Sequence, residues 1–574
     1  MQQLGSLGRK PWAFLDEYRG KFFTGQWPTL PEMFVITCHR YGERPCLTIY
    51  EPERISLSYN ESLVKIKAIA RWLHSKGIGK GDKAAVTGKN SPEWTAAYMG
   101  ILFAGATVVP IDYQLKTEET DLLIKTAKAR ILFVDEEKHG RYAGSQEAGT
   151  ALEAVLSLKE GIGTYVYDLD GPEAEIDAPA GDDLAAILFT SGTMGNPKGV
   201  MLTHENLVSD CYLAQGHLNI YHTDVFYALL PIHHAYTMLA VLIESLSVGA
   251  EIVFGKRMVT KAILKDLKEA KITMFLAVPL LFNKVLASIL RGLKEKGPIV
   301  YGIISFLMAI SGIIKKVFRV NPGKKMFGFI LDKASLTTVR ICICGGGPLA
   351  PSVFRKYNQM GIDFIQGYGL TETSPIINLN PIERYRETSV GRVVPWVDMK
   401  ILDPDERGVG EVILKGPMVM KGYFEMPEET KEAFTADGYL KTGDLGYLDD
   451  EDYLYLTGRA KNMIVTEGGK NVYPEEIENE FQLFEEIDQV LVRSYTEGKK
   501  DSSEHIEALV YPSPDFKWTE DSAGPTAETV KTRMDAIVSE VNQRLLPYQR
   551  IERVSILTDP MEMTTTKKIK RDAV

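Results

Sequence analysis

Residues 190–199 read TSGTMGNPKG, and this stretch decides the fold. The run before it, LAAILF at 184–189, is apolar and short enough for a buried strand. A second short run, VML at 200–202, follows at once. Between them lie two threonines, a serine, three glycines, a proline and a lysine. Small hydroxyl residues and glycines leave backbone N–H groups open and let the main chain approach an anion closely. Lys198 adds a mobile cation. The stretch therefore reads as a loop that grips phosphates, with a glycine-rich hairpin turn as the bland alternative. A P-loop would need G-x-x-x-x-G-K-[ST] at the head of a helix. Here Lys198 is followed by Gly199, so that motif is absent.

A chain of 574 residues exceeds one core, so two or more domains are expected. The composition, 45% hydrophobic and 25% charged, is that of a soluble globular protein. A net charge of −10 argues against nucleic acid as a partner. Five cysteines stand scattered at 38, 46, 211, 342 and 344, and no second Cys/His pair suggests a metal site. They read as buried thiols of a reducing compartment. The first twenty residues show neither an apolar signal core nor a cleavage site, so a cytoplasmic location is expected.

One segment complicates this. Residues 297–314 carry no charge between Lys296 and Lys315, at the lower edge of transmembrane length. Gly302, Ser305, Ala309 and Gly312 recur at helical spacing and would form a close-packing face. A true span would split a domain whose motifs lie on both sides. Two readings stay open, a buried core helix and peripheral contact with the inner face of the membrane. In the second, Ile303, Phe306, Leu307, Ile310 and Ile314 would enter the interface. Lys294, Lys296, Lys315, Lys316 and Arg319 would meet anionic headgroups.

From about residue 30 to 400, short apolar strands such as KAAVT at 83–87 and EIVF at 251–254 alternate with amphipathic helical stretches. Such alternation implies an α/β fold with mostly parallel, helix-covered sheets. From about 390 to 457 short strands with turn residues read as a small β subdomain. After residue 458 comes a compact α+β portion, with a helix near Pro474, strands near 489–494 and 507–511, and a long helix over 528–545. The expected division is 1–458, a large N-terminal domain, and 459–574, a small mobile C-terminal domain.

Five motifs in order resemble the adenylate-forming enzymes, the family of acyl-CoA synthetases, luciferases and peptide-synthetase adenylation domains. They are the 190–199 loop, GGGPLAP at 345–351, QGYGLTET at 366–373, KTGD at 441–444 with GRAK at 458–461, and MTTTKKIKR at 563–571. The resemblance spans about 400 residues. The tail departs from the family's common T-x-x-G-K: Lys567 replaces the glycine and Thr565 stands where proline is frequent. That register is similar to the long-chain acyl branch and favours Lys568 over Lys567 or Lys570.

The resemblance implies ATP-dependent activation of a carboxylate to acyl-AMP, with pyrophosphate released, then transfer to CoA. Thr190, Ser191, Gly192, Thr193, Gly195 and Lys198 would hold the β and γ phosphates. Gly345, Gly346, Gly347 and Pro348 would leave bare backbone against the purine. Gln366, Gly367, Tyr368 and Gly369 belong to the central motif, with Tyr368 offering an aromatic face to adenine. Thr371 would donate to the α-phosphate, and Glu372 would ligate Mg2+. Asp444 and Arg459 would take the ribose. Lys568 would stabilise charge as pyrophosphate leaves. Lys461 occupies the hinge position, and Gly468 and Gly469 would line a channel for the CoA arm after rotation. His234 would position or gate the carboxylate.

The substrates implied are ATP, CoA and a fatty acid, the long-chain branch being favoured by the tail and by the apolar, basic insert between Leu290 and Gly345. The nearest rival is a fatty acyl-AMP ligase loading a carrier protein, against which the intact hinge and CoA-facing loop argue. A P-loop ATPase or kinase lacks its motif, and a dead lipid-binding relative would not keep the charged set. Chain length, pathway and oligomeric state, a homodimer among the options, stay open.

Overall fold

The computed structural model describes residues 10–143, 152–190, 197–257, 259–466, 470–496, 505–514, 516, 518, 526–564 and 568–571. Two large sheets organise the chain. The seven-stranded sheet runs Gly422–Tyr423, Lys198–Thr203, Leu184–Thr190, Thr107–Ile111, Lys83–Thr87, Ile131–Val134, Ala154–Ser157. Its last five strands are parallel neighbours. Thr107–Ile111 and Ile131–Val134 are buried throughout, which is why they read as unbroken apolar runs. Leu184–Thr190 and Lys198–Thr203 pair antiparallel, with Thr190 opposite Lys198. The two ends of the 190–199 stretch are thus ladder partners, while residues 191–196 between them lie outside the described residues.

The thirteen-stranded sheet has a parallel half: Pro45–Ile49, Glu251–Phe254, Val225–Ala228, Met274–Ala277, Ile341–Cys344 and Asp363–Gly369. Asp363–Gly369 is seven residues long and does two things. Its first half pairs parallel with Ile341–Cys344, its second half antiparallel with Ile376–Leu379. The strands of the expected β subdomain then continue this ladder through Gly391–Val393, Tyr453–Arg459, Leu440–Leu448, Gly410–Lys415 and Asp398–Leu402. They are therefore an extension of the large sheet and not a free-standing one. Arg459 closes Tyr453–Arg459, so this ladder runs one residue past the expected boundary at 458.

The largest apolar cluster draws on both sheets, with Val86 and Val108 from one and Phe226 and Ile365 from the other. A separate core, including Ile477, Val492, Val510 and Ile537, lies within 464–551. It rests on the strands Ile487–Tyr495, His505–Pro512 and Arg553–Ile556 and the helix Ala527–Asn542. Helix starts follow local chemistry. Ser58 and Glu61 close a capping box before Tyr59–Ser75, and Thr203 and Asn206 one before His204–Ala214.

The uncharged segment lies in the 21-residue helix Pro298–Phe318. Its buried positions are Ile304, Met308, Ser311 and Lys315, not the small-residue stripe. A Cβ on Gly302 would meet nothing within 4 Å, although one on Gly312 would press on Gln359. Lys315, expected at headgroups, points inward instead. Its ammonium donates to Asn358 Oδ1 at 2.8 Å and Ile362 O at 3.1 Å, and pairs with Asp363 at 2.7 Å. A flexible four-carbon stem and a waiting carboxylate explain the inward turn.

Candidate active site

In open α/β sheets, ligands bind outside the carboxyl ends of the strands. Here those ends converge on one cavity of about 2210 Å³. Val225–Ala228 runs on to His233 and His234, Met274–Ala277 to Val278 and Pro279, and Ile341–Cys344 to Gly345, Gly346, Gly347 and Pro348. Asp363–Gly369 delivers Gln366, Gly367, Tyr368 and Gly369 and leads to Thr371 and Glu372. Thr190, Lys198, Asp444, Arg459, Lys461 and Lys568 line the same space. Every candidate within the described residues therefore opens on one cleft. Ser191, Gly192, Thr193, Gly195, Gly468 and Gly469 lie outside the described residues.

Asp444 and Arg459 are cross-strand partners, and Arg459 Nε lies 2.9 Å from Asp444 Oδ1. Tyr368 donates its hydroxyl to Asp444 Oδ2 at 2.6 Å, and the Asp444 N–H donates to Thr442 Oγ1 at 3.1 Å. Tyr368 thus holds the carboxylate as well as offering a ring face. Burial first, and the Asp444 charge next, push the Tyr368 hydroxyl well up, so it stays a donor. Gly369 admits no side chain, since a Cβ there would stand 1.4 Å from Pro375 O. Gly346 sits at φ +80°, the left-handed region that favours glycine.

At the phosphate end, Lys198 Nζ stands 4.8 Å from the centre of the Tyr423 ring. Tyr423 donates its hydroxyl to Glu372 Oε1 at 2.9 Å. Tyr423 is held there because Gly422–Tyr423 pairs with Val200 and Met201, just past the loop. Nothing local marks this residue, as KGYF at 421–424 carries no motif and the pairing is between distant segments. Gln482 was missed for the same reason. It reaches from the small domain to accept from Ala350 N at 2.8 Å and to donate to Pro348 O at 3.1 Å, pinning the 345–351 turn. Lys284 with Asp488 and Arg291 with Glu485 add ion pairs across the same seam.

His233 is buried, with Nε2 3.5 Å from Asp112 Oδ1 and its ring centre 4.3 Å from that of His234. Asp112, His233 and His234 form one group whose ligand-type atoms lie within 4.8 Å of one another. Sequence spacing could not bring Asp112 to it. Burial foremost, then the neighbouring His233, push the His234 imidazole down, so it is neutral near pH 7. The apolar side chains of 238–246 and 275–282 divide between cavity and core. Ala240, Val278 and Leu280 line the cavity, whereas Met238, Phe275 and Phe282 are core. Glu244 also faces the cavity. It accepts from Gln215 Nε2 at 2.8 Å, and burial pushes its carboxyl up to about 8.

Lys568 is carried on a local hairpin. Thr564 N donates to Lys568 O at 2.8 Å, Lys568 N to Thr564 Oγ1 at 3.1 Å, and Lys570 N to Glu562 O at 2.8 Å. Arg571 ties this hairpin to Glu478 at 2.6 Å. Protein crowding, then the Arg459 guanidinium, push the Lys568 ammonium down, with Asp444 opposing. The side chain still keeps surface open to the wide cleft. Lys461 sits exposed in the turn Ala460–Asn462. None of the described residues from 463 to 474 lines the cavity.

The fold is that of the adenylate-forming enzymes. A family model described as AMP-binding enzyme matches residues 34–424, and the chain belongs to that family. It is 29% identical over 559 residues to the long-chain-fatty-acid–CoA ligase FadD15 of Mycobacterium bovis, covering 90% of this chain and 89% of that one. It is 27% identical over 469 residues to a feruloyl-CoA synthase of an Amycolatopsis species, covering 79% and 82%. ATP-bound MatB of Rhodopseudomonas palustris matches it in structure with a TM-score of 0.73 at 25% identity, over 95% and 98% of the chains.

Proposed function

We propose that the chain activates a long-chain fatty acid with ATP and passes it to CoA. The observation that carries this is one cavity uniting the Tyr368–Asp444–Arg459 corner, the Lys198–Tyr423–Glu372 set, an apolar wall and Lys568. The acid's carboxylate attacks the α-phosphorus, the bond to the bridging oxygen breaks, and pyrophosphate leaves. Lys568 meets the charge that develops there, and Lys198 holds the departing phosphates. Asp444 and Arg459 fix the sugar, so the reacting atoms stay in line. Neutral His234 borders the carboxylate without attracting it as a cation would. In the second step the CoA sulfur attacks the acyl carbonyl and AMP leaves, after rotation about Lys461.

Glu372 fits a magnesium role, since a hard cation takes one protein carboxylate together with phosphate oxygens. When bound, Mg2+ supplies charge neutralisation to the triphosphate. A cytoplasmic setting is part of the proposal, and five unpaired, buried cysteines support it. The feruloyl-CoA synthase relative favours a second reading, an aromatic acid in the same cavity. Pyrophosphate release measured over acids from acetate to oleate, and ferulate, with and without CoA, tests both. Turnover with oleate that needs CoA supports the first reading. Preference for ferulate supports the second, and adenylation without thioester formation to CoA would point to a carrier protein as acceptor.

A further inference from the structure

The helix Pro298–Phe318 has two faces with different fates. Ile304, Met308, Ser311 and Lys315 lie on one face and are buried against the protein. Ile299, Ile303, Phe306, Ile313 and Val317 fall on the opposite face and are each more than half exposed, Ile299 at 77%. Val320, just past the C-terminal end of the helix, and Phe329, beside Lys296 at its N-terminal end, are exposed as well. A contiguous exposed patch of large apolar side chains marks a docking surface.

The surrounding charge says what docks. Residues 294–333 contain eight lysines and arginines and only two acids, in a chain whose net charge is −10. Lys294, Lys296, Lys316, Arg319 and Lys325 are exposed around the apolar face. A protein partner would need one large apolar area ringed by acid, whereas an anionic bilayer offers both features in one plane.

We infer that this face docks on an anionic lipid bilayer, with the helix lying in the interface. It does not cross. Spanning would strip Lys315 from Asp363 and turn the buried face toward hydrocarbon. The helix packs beside Pro279–Lys294, which lines the catalytic cavity through Asn283, Ala287 and Arg291. Docked lipid therefore stands one helix away from that cavity. The inference is independent of which acid the enzyme activates.

Flotation of the full chain with phosphatidylcholine vesicles, plain or holding about one-third phosphatidylglycerol, tests it. The wild type should float only with the anionic vesicles and should detach at about 0.3 M salt. Phe306→Glu/Ile313→Glu should cut the bound fraction roughly tenfold or more. Its melting temperature and its pyrophosphate release with a soluble short acid should stay at wild-type values. Lys294→Glu/Lys316→Glu should weaken flotation at low salt without touching the apolar face. A wild type that stays at the bottom of the gradient overturns the inference, as does a double apolar variant that floats normally or unfolds. A vesicle-free dimer that Phe306→Glu/Ile313→Glu dissolves also overturns it, because a second copy then covers the face.

Discussion

Asp444 and Lys568 reach one cavity by opposite means. Asp444 sits mid-strand, opposite Arg459 in a long ladder, with Tyr368 on its second oxygen and Thr442 on its own N–H. Lys568 sits on a hairpin whose bonds are local, joined by Arg571 to a helix of the smaller domain. The position of Asp444 is thus a property of the large sheet. That of Lys568 depends on where the small domain stands. The first corner should serve every step that holds the nucleotide, the second only the step for which the small domain is docked as here.

Asp444→Ala should break the comparison most severely. It removes a doubly bonded carboxylate and leaves Arg459 and Tyr368 unmatched, costing about 10³ in kcat/KM for ATP. Conversion of supplied acyl-AMP to acyl-CoA should fall as well. A variant hampered only in the first half-reaction would show that Asp444 is no general nucleotide anchor. Lys568→Ala should cut adenylation by about 10²–10³ and spare the thioester half-reaction. Equal loss in both halves would make the hairpin a structural element of the whole cleft.

Glu372→Gln should act through metal demand, raising the Mg2+ needed for half-maximal rate about tenfold. Tyr423→Phe should shift it in the same direction by less, since it removes one hydrogen bond to that carboxylate. Tyr423→Phe with unchanged magnesium dependence would detach the residue from the phosphate end.

The smallest effect concerns pH. The Glu244 carboxyl has a usual value of 4.5 and is pushed up to about 8 by burial. The folded state holds that proton across the window between, so its contribution to stability is full below about 4.5 and is lost as pH rises through about 8. Glu244→Gln should flatten the fall in melting temperature between pH 6 and 8.5 by a few degrees. Parallel curves for the variant and the wild type would show that the cavity wall carries no such proton.

Much of this was legible because the motifs are local. Buried strands such as Lys83–Thr87 and Glu251–Phe254 stand where apolar runs predicted them. The glycines of 366–369 and 345–347 fall beside the cavity. What was not legible depends on distant pairing. Tyr423 needs the strand Lys198–Thr203, Gln482 needs Ala350, and Asp112 meets His233 across 121 positions of sequence. The helix Pro298–Phe318 shows the same limit. Its small-residue stripe was readable, but which face packs was chosen by Asn358, Ile362 and Asp363 on other elements. The β subdomain dissolved into the large sheet because one strand, Asp363–Gly369, changes partner direction midway.

That strand has Asp363, the ion-pair partner of Lys315, at its root and Gly369 at its tip. An engineer who grafts the surface helix onto a relative must therefore carry Asp363 along. Without it the transplanted lysine would be stranded in the protein interior. Helix, ion pair and strand form a single structural unit.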